Sequence, residues 1–206
     1  MKKPFLASAA VLAVTILFVS GCSKISTTTE DNSIYSEMLC YATHYADVVN
    51  NQIPFIKTKA NEDSFYGDKN FAPNLSCIDE KFLEYIELYS LPENVYEWDE
   101  QAVLELVDND NRFSPEEKTI FVKSIAAAYF LKNEFSNRIA STKGDPSDCE
   151  EQFKEDMRRA TRNAAIAFIA ALLEPSLVGE AAALVYYYCE IDDAEEDYND
   201  CMEQQQ

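Results

Sequence analysis

Six cysteines and a single histidine are the residues best equipped for chemistry in this chain of 206 residues. Cys40 and His44 stand four apart, so one helical face would bring an imidazole to a thiol, the arrangement in which histidine activates a cysteine nucleophile. No oxyanion or base-orienting motif accompanies the pair, and a disulfide at Cys40 would consume the nucleophile. Four glycines leave little material for a phosphate cradle, and one histidine leaves little for imidazole-based catalysis or metal ligation. Thirty-seven Asp and Glu against 17 Lys and Arg make close carboxylate pairs a consequence of composition, so no acid–base couple is singled out. The net charge of −20 also argues against nucleic acid as a partner, because phosphate recognition needs a basic face.

Leu106 to Glu117, LVDNDNRFSPEE, resembles a degenerate EF-hand loop over twelve residues. Asp108 and Asp110 match the third and fifth ligand positions, Arg112 the backbone-carbonyl seventh, Phe113 the apolar eighth, Ser114 the ninth and Glu117 the bidentate twelfth. Leu106 stands where the first Asp belongs, and Asn111 replaces the turn glycine. The same residues are accounted for more simply. Ser114-Pro115-Glu116-Glu117 is a capping box that opens a helix, and the Asp-Asn-Asp-Asn run is a solvated loop, so no metal and no calcium cofactor is expected.

The amino-terminal segment carries a clearer pattern. Lys2 and Lys3 precede fourteen almost wholly apolar residues, Phe5 to Phe18, too few and wrongly flanked for a permanent membrane span. Val19-Ser20-Gly21-Cys22 follows, and this order of charge, apolar run and small residues before a cysteine resembles the lipobox signal of bacterial lipoproteins. The resemblance implies removal of residues 1–21 and attachment of a diacylglycerol, usually with an N-acyl chain such as palmitate, to Cys22. At about 0.8 kcal/mol per buried methylene, two or three chains anchor a protein durably. Ser23, rather than Asp, after the lipidated cysteine implies sorting to the outer membrane. Residues 22–32 then read as a lipidated cysteine and flexible tether, and 33–206 as one domain. Signal removal takes away two lysines and no acid, which leaves the mature chain at −22.

The elements that must position these residues are helical. Glycine is too scarce for the turns of an all-β domain. Ile34 to Val49 places Ile34, Met38, Tyr41, Tyr45 and Val48 at spacings of three and four. Residues 51–78 show no period and contain Pro54, Gly67 and Pro73, which predicts a long irregular connection. Asp79 opens a helix with Phe82, Ile86 and Tyr89 on one face. Glu97 to Val107 is expected to be a short helix with Trp98, Ala102 and Leu106 inward. From Ser114 a helix runs to about Phe135, apolar enough through its middle to lie at the centre of a bundle. A polar break at 141–147 precedes the last third.

Residues 148–204 read as an antiparallel helical hairpin turning at Pro175. That pivot sets Cys149 opposite Cys201, Arg158 opposite Asp192 and Lys154 opposite Glu196. Both seams keep the spacing of a packed helical pair: Cys149, Phe153, Met157, Ala160, Ala164, Ala167 and Ala171 against Leu184, Tyr187, Ile191, Ala194, Tyr198 and Cys201. A Cys149–Cys201 disulfide follows, permitted by the exported setting. A second bridge, Cys40–Cys77, would tether the ends of the irregular segment, leaving Cys189 as a buried thiol.

The whole reads as an all-α, disulfide-braced helical bundle with a C-terminal antiparallel hairpin. Functionally it is expected to be a non-enzymatic binding or structural lipoprotein of the cell envelope. Its partners would be the membrane, through the lipid, and another envelope or cationic protein. Two other classes stay open: a toxin-like protein inserting its apolar hairpin into a membrane, and a Cys-His hydrolase. The insertion reading meets a length limit, since each apolar arm, Ala164 to Leu173 and Ala181 to Cys189, spans only about 15 Å, half a bilayer core.

Overall fold

The computed structural model describes residues 33–59, 78–139, 148–173 and 179–204. All regular structure among them is helical: α1 Ile34–Lys59, α2 Glu80–Tyr89, a 3₁₀ turn Val95–Glu97, α3 Glu100–Asn109, α4 Pro115–Ile139, α5 Asp148–Leu173 and α6 Gly179–Gln204. The helix starts are written in the side chains. The Ser36 amide donates to Ser33 Oγ (3.2 Å), the Lys81 amide to Asp79 Oδ1 (3.1 Å) and the Ala102 amide to Asp99 Oδ1 (2.9 Å). At α4 the full capping box closes. The Ser114 amide donates to Glu117 Oε2 (2.8 Å) and the Glu117 amide to Ser114 Oγ (3.2 Å). Each satisfies backbone donors that a helix start leaves orphaned.

The aromatic contacts fix the helix directions. Tyr35 feels Tyr129, whose influence on its pKa is second to that of burial, and Lys123 Nζ lies 5.3 Å from the Tyr41 ring, so α1 runs antiparallel to α4. The Phe153 ring lies tilted against that of Tyr198, their centres 5.6 Å apart, and Cys149 is disulfide-bonded to Cys201 with their Cα atoms 6.0 Å apart. Those contacts give α5 and α6 the antiparallel register set by the Pro175 pivot. Their seam is largely as expected, with Phe153, Met157, Ala160, Ala164 and Ala167 buried against Leu184, Tyr187, Ile191 and Tyr198. α4 lies at the centre, packed on α1, α3, α5 and α6. Its successive residues Ala126, Ala127 and Ala128 are all fully buried, as only a helix covered on every side allows.

Three local expectations are corrected. α1 does not stop at Val49 but continues through Pro54 to Lys59. An internal proline costs about 3 kcal/mol, and a helix already nucleated and docked through Met38, Ala42, Tyr45 and Val49 can carry that local cost. The helix expected over Glu97–Val107 begins at Glu100; Trp98 before it is buried as expected, but the helix itself turns a different face inward. Val103, Leu104 and Val107 are buried, whereas Ala102 is exposed and Leu106 is 49% exposed. The β-branched and leucine stripe supplies more apolar area than the alanine-containing one, and burial selects it. Lastly, the charge pairs expected across the hairpin form elsewhere. Lys154 pairs with Glu150 and Arg158 with Glu155 (3.3 Å), each on its own helix, while Arg162 reaches Glu87 on α2. Positions three and four apart on one helix are already within reach, and pairing there requires no long side chain to cross the seam.

The expected signal, tether, Cys22, Cys77, the polar break at 141–147 and the Pro175 turn lie outside the described residues.

Candidate functional site

The loop that resembles an EF-hand is built around the protein's own cations. Lys81, on the first turn of α2, brings its ammonium 2.8 Å from Glu117 Oε1 and 3.0 Å from the Arg112 carbonyl oxygen. These two are the groups matching the twelfth and seventh ligand positions. The ammonium also lies 5.1 Å from the centre of the Phe113 ring, the eighth position. Glu117 Oε2 is occupied by the Ser114 amide of the capping box. The Lys81 contact and this amide together hold the Glu117 carboxyl below its ordinary pKa. Asp110 accepts from Arg112 Nε (2.8 Å), from the Arg112 backbone amide (2.8 Å) and from Tyr85 Oη (2.8 Å). The Arg112 guanidinium, first among these, keeps Asp110 well below the usual carboxylate range. Lys118 hydrogen-bonds the Asp108 carbonyl and lies 3.6 Å from its carboxylate. Leu106, at the first position, is half exposed.

The four loop residues named from sequence, Asp108, Asp110, Arg112 and Glu117, are therefore brought together as a lock between α2 and α4 in which Lys81, Arg112 and Lys118 supply the positive charge. Among the described residues no group of three His, Cys, Asp or Glu is placed to hold a metal ion. The outer face of this lock borders an open recess of about 740 Å3, lined by Asp79, Glu80, Leu83, Glu84 and Glu87 beside Lys81 and Arg112.

The Cys40–His44 pair meets a chemical obstacle. Cys40 is disulfide-bonded, so its sulfur has no thiolate to offer; Cys77, the partner expected for it, lies outside the described residues. His44 is held below its ordinary pKa, chiefly by burial. Cys189 carries a half-buried thiol on α6.

A second constellation escaped the sequence reading. Glu100 and Lys132 form an ion pair whose side chains are each 8% exposed. Tyr89 Oη donates to Glu100 at 2.5 Å, Lys132 Nζ donates to the Trp98 carbonyl at 3.2 Å, and the ammonium lies 5.6 Å from the Tyr129 ring. Burial first, then the Glu100 charge, pushes the Tyr89 hydroxyl well above its ordinary pKa. Choosing the wrong inward face for α3 hid Glu100. Lys132 was legible, since it continues the inward stripe Ile125–Tyr129 at a spacing of three. The arrangement can hold α3 on α4, with both side chains of the pair almost wholly buried.

No known protein family, characterised protein or solved structure matches this chain. Its own residues are the basis for a functional reading.

Proposed function

We propose that the protein is a lipid-anchored, non-enzymatic binding or structural protein of the bacterial cell envelope, recognising a cationic protein partner. The lipobox-like segment ending at Cys22 supports the anchor, and Ser23 after it supports the outer-membrane location. The observation that carries the recognition reading is the outer face of α6. Glu190, Asp193, Glu196, Asp197, Asp200 and Glu203 are exposed along it, while the arginines of α5 are engaged with Glu155, Asp156 and Glu87. Asp193 feels the crowding: partial burial first, then Asp192, Glu196, Asp197 and Glu190, raise its pKa. A surface of one sign steers oppositely charged partners toward it.

Two experiments test the two halves. Radiolabelled palmitate should enter the wild-type protein and not Cys22→Ala; an unlabelled mature protein would remove the anchor. Envelope-protein capture should fall with added salt and in the triple variant Asp193→Lys, Asp197→Lys, Asp200→Lys. Capture indifferent to both would remove electrostatic recognition.

The other readings face specific obstacles. The disulfide at Cys40 opposes a hydrolase. For membrane insertion, no helix among the described residues is long and apolar enough to cross a bilayer. The arms are also committed to the bundle, with Ala164, Ala167 and Leu184 fully buried. Dye release from liposomes would nevertheless revive that reading.

A further inference from the structure

Glu180 sits in the first turn of α6 with its carboxyl turned into the bundle. Its Oε2 is sealed from solvent and has no hydrogen-bond partner among the described residues. Charged and polar groups on two neighbouring helices interact with it electrostatically. Tyr41 and Tyr45 on α1 both feel its charge, and Lys123 on α4 acts on Glu180 and lies 5.3 Å from the Tyr41 ring. On α5, the Phe168 ring lies 5.3 Å from that of Tyr45, and there is no titratable group between 164 and 173. His44, next to Tyr45, also feels Lys123.

A carboxyl with one oxygen sealed in this way is better tolerated neutral than charged, because the ion loses part of its hydration and the sealed oxygen gains no hydrogen bond in return. Lys123 and the helix N-terminus both favour the ion. Burial is the stronger influence here and raises the Glu180 pKa above its ordinary value, with Lys123 pulling the other way. The far end of the hairpin is held covalently by the Cys149–Cys201 disulfide.

We infer that the first turn of α6 is a pH-sensitive latch, in which the neutral Glu180 carboxyl keeps the apex end of the hairpin docked on α1 and α4 and its ionisation loosens that end. The sign follows from linkage. A carboxyl whose pKa is higher in the docked state binds more protons there, so docking is strongest in acid and weakens as pH rises above the ordinary Glu range. The tyrosines stay neutral across that range. His44 acts in the opposite sense, since a histidine with a lowered pKa opposes the docked state when protonated in acid. This inference goes beyond the binding function and does not depend on lipidation.

Hydrogen exchange of the intact protein reads the latch directly. After correction for intrinsic exchange, protection of the α6 amides over 183–189 should fall several-fold between pH about 5 and about 8, while the α2 amides hold. Glu180→Gln should flatten the profile, Lys123→Met should move the fall to higher pH, and His44→Gln should leave its direction unchanged. A wild-type profile without pH dependence overturns the latch, as does an unchanged dependence in Glu180→Gln. If that variant does not fold, Lys123→Met decides, because an unshifted profile there overturns the assignment. Loss of the dependence in His44→Gln would transfer it to the histidine and equally overturn the latch.

Discussion

Lys81 and Lys132 do different work with the same ammonium. Lys81 lies where backbone carbonyl, carboxylate and aromatic ring converge on a partly exposed loop, so its contribution is tied to the ionisation of Glu117. That carboxyl is depressed in the folded protein. The stability it confers is therefore fully present above the ordinary Glu pKa of about 4.3 and drains away as pH falls below it. Lys81→Met should remove this part of the acid transition, seen as a shallower loss of thermal stability between pH about 5 and about 3. Lys132 is buried with Glu100, and there desolvation dominates. Breaking the pair from one side strands a charge, so Lys132→Met should cost about 3–5 kcal/mol in urea unfolding, whereas the double variant Glu100→Leu, Lys132→Met should recover most of it. A double variant as unstable as the single would show that packing, not charge, accounts for the loss.

The hairpin gives the most exposed test among the elements. Its seam places alanines of α5 opposite tyrosines and leucines of α6, and Ala164 and Ala167 have no exposed area. Ala164→Leu should overpack the seam by about 1–3 kcal/mol in urea unfolding. By contrast, a substitution at exposed Leu106 should be close to neutral. Replacing Cys149 and Cys201 together by serine releases a loop with a sequence separation of 52. A stability loss of about 4 kcal/mol is expected from chain entropy. These outcomes also show how far the elements were readable. The seam was legible because heptad-like spacing, a central proline and two cysteines equidistant from it all report one register. The inward face of α3 was not, because two stripes of a short helix compete and only the neighbours decide which is covered.

At the scale of the whole molecule, charge is the dominant property. The net charge of −20 makes the compact state repel itself. Added sodium chloride should therefore raise the melting temperature until surface fields are screened, within a Debye length of about 8 Å near physiological ionic strength. A melting temperature unmoved or lowered by salt would show that local pairs such as Glu84–Arg112, at 2.8 Å, outweigh the global repulsion. The same field supports the proposed cationic partner, and the salt dependence of capture and of stability should therefore run in opposite directions.

The helical class, the central position of α4, the capping box at Ser114 and the Cys149–Cys201 bridge were determined by the sequence alone, because periodicity, caps and hairpin symmetry are local or pairwise patterns written along the chain. The resemblance at Leu106 to Glu117 could also be read there, but not its meaning. Only the tertiary structure decided that Lys81, remote in the chain, supplies the positive charge at that loop. It decided too that Glu100 and Lys132 are buried together and that Glu180 faces inward. Each of these depends on which helix covers which, and the cost of burying a charge is set by neighbours that sequence spacing does not name.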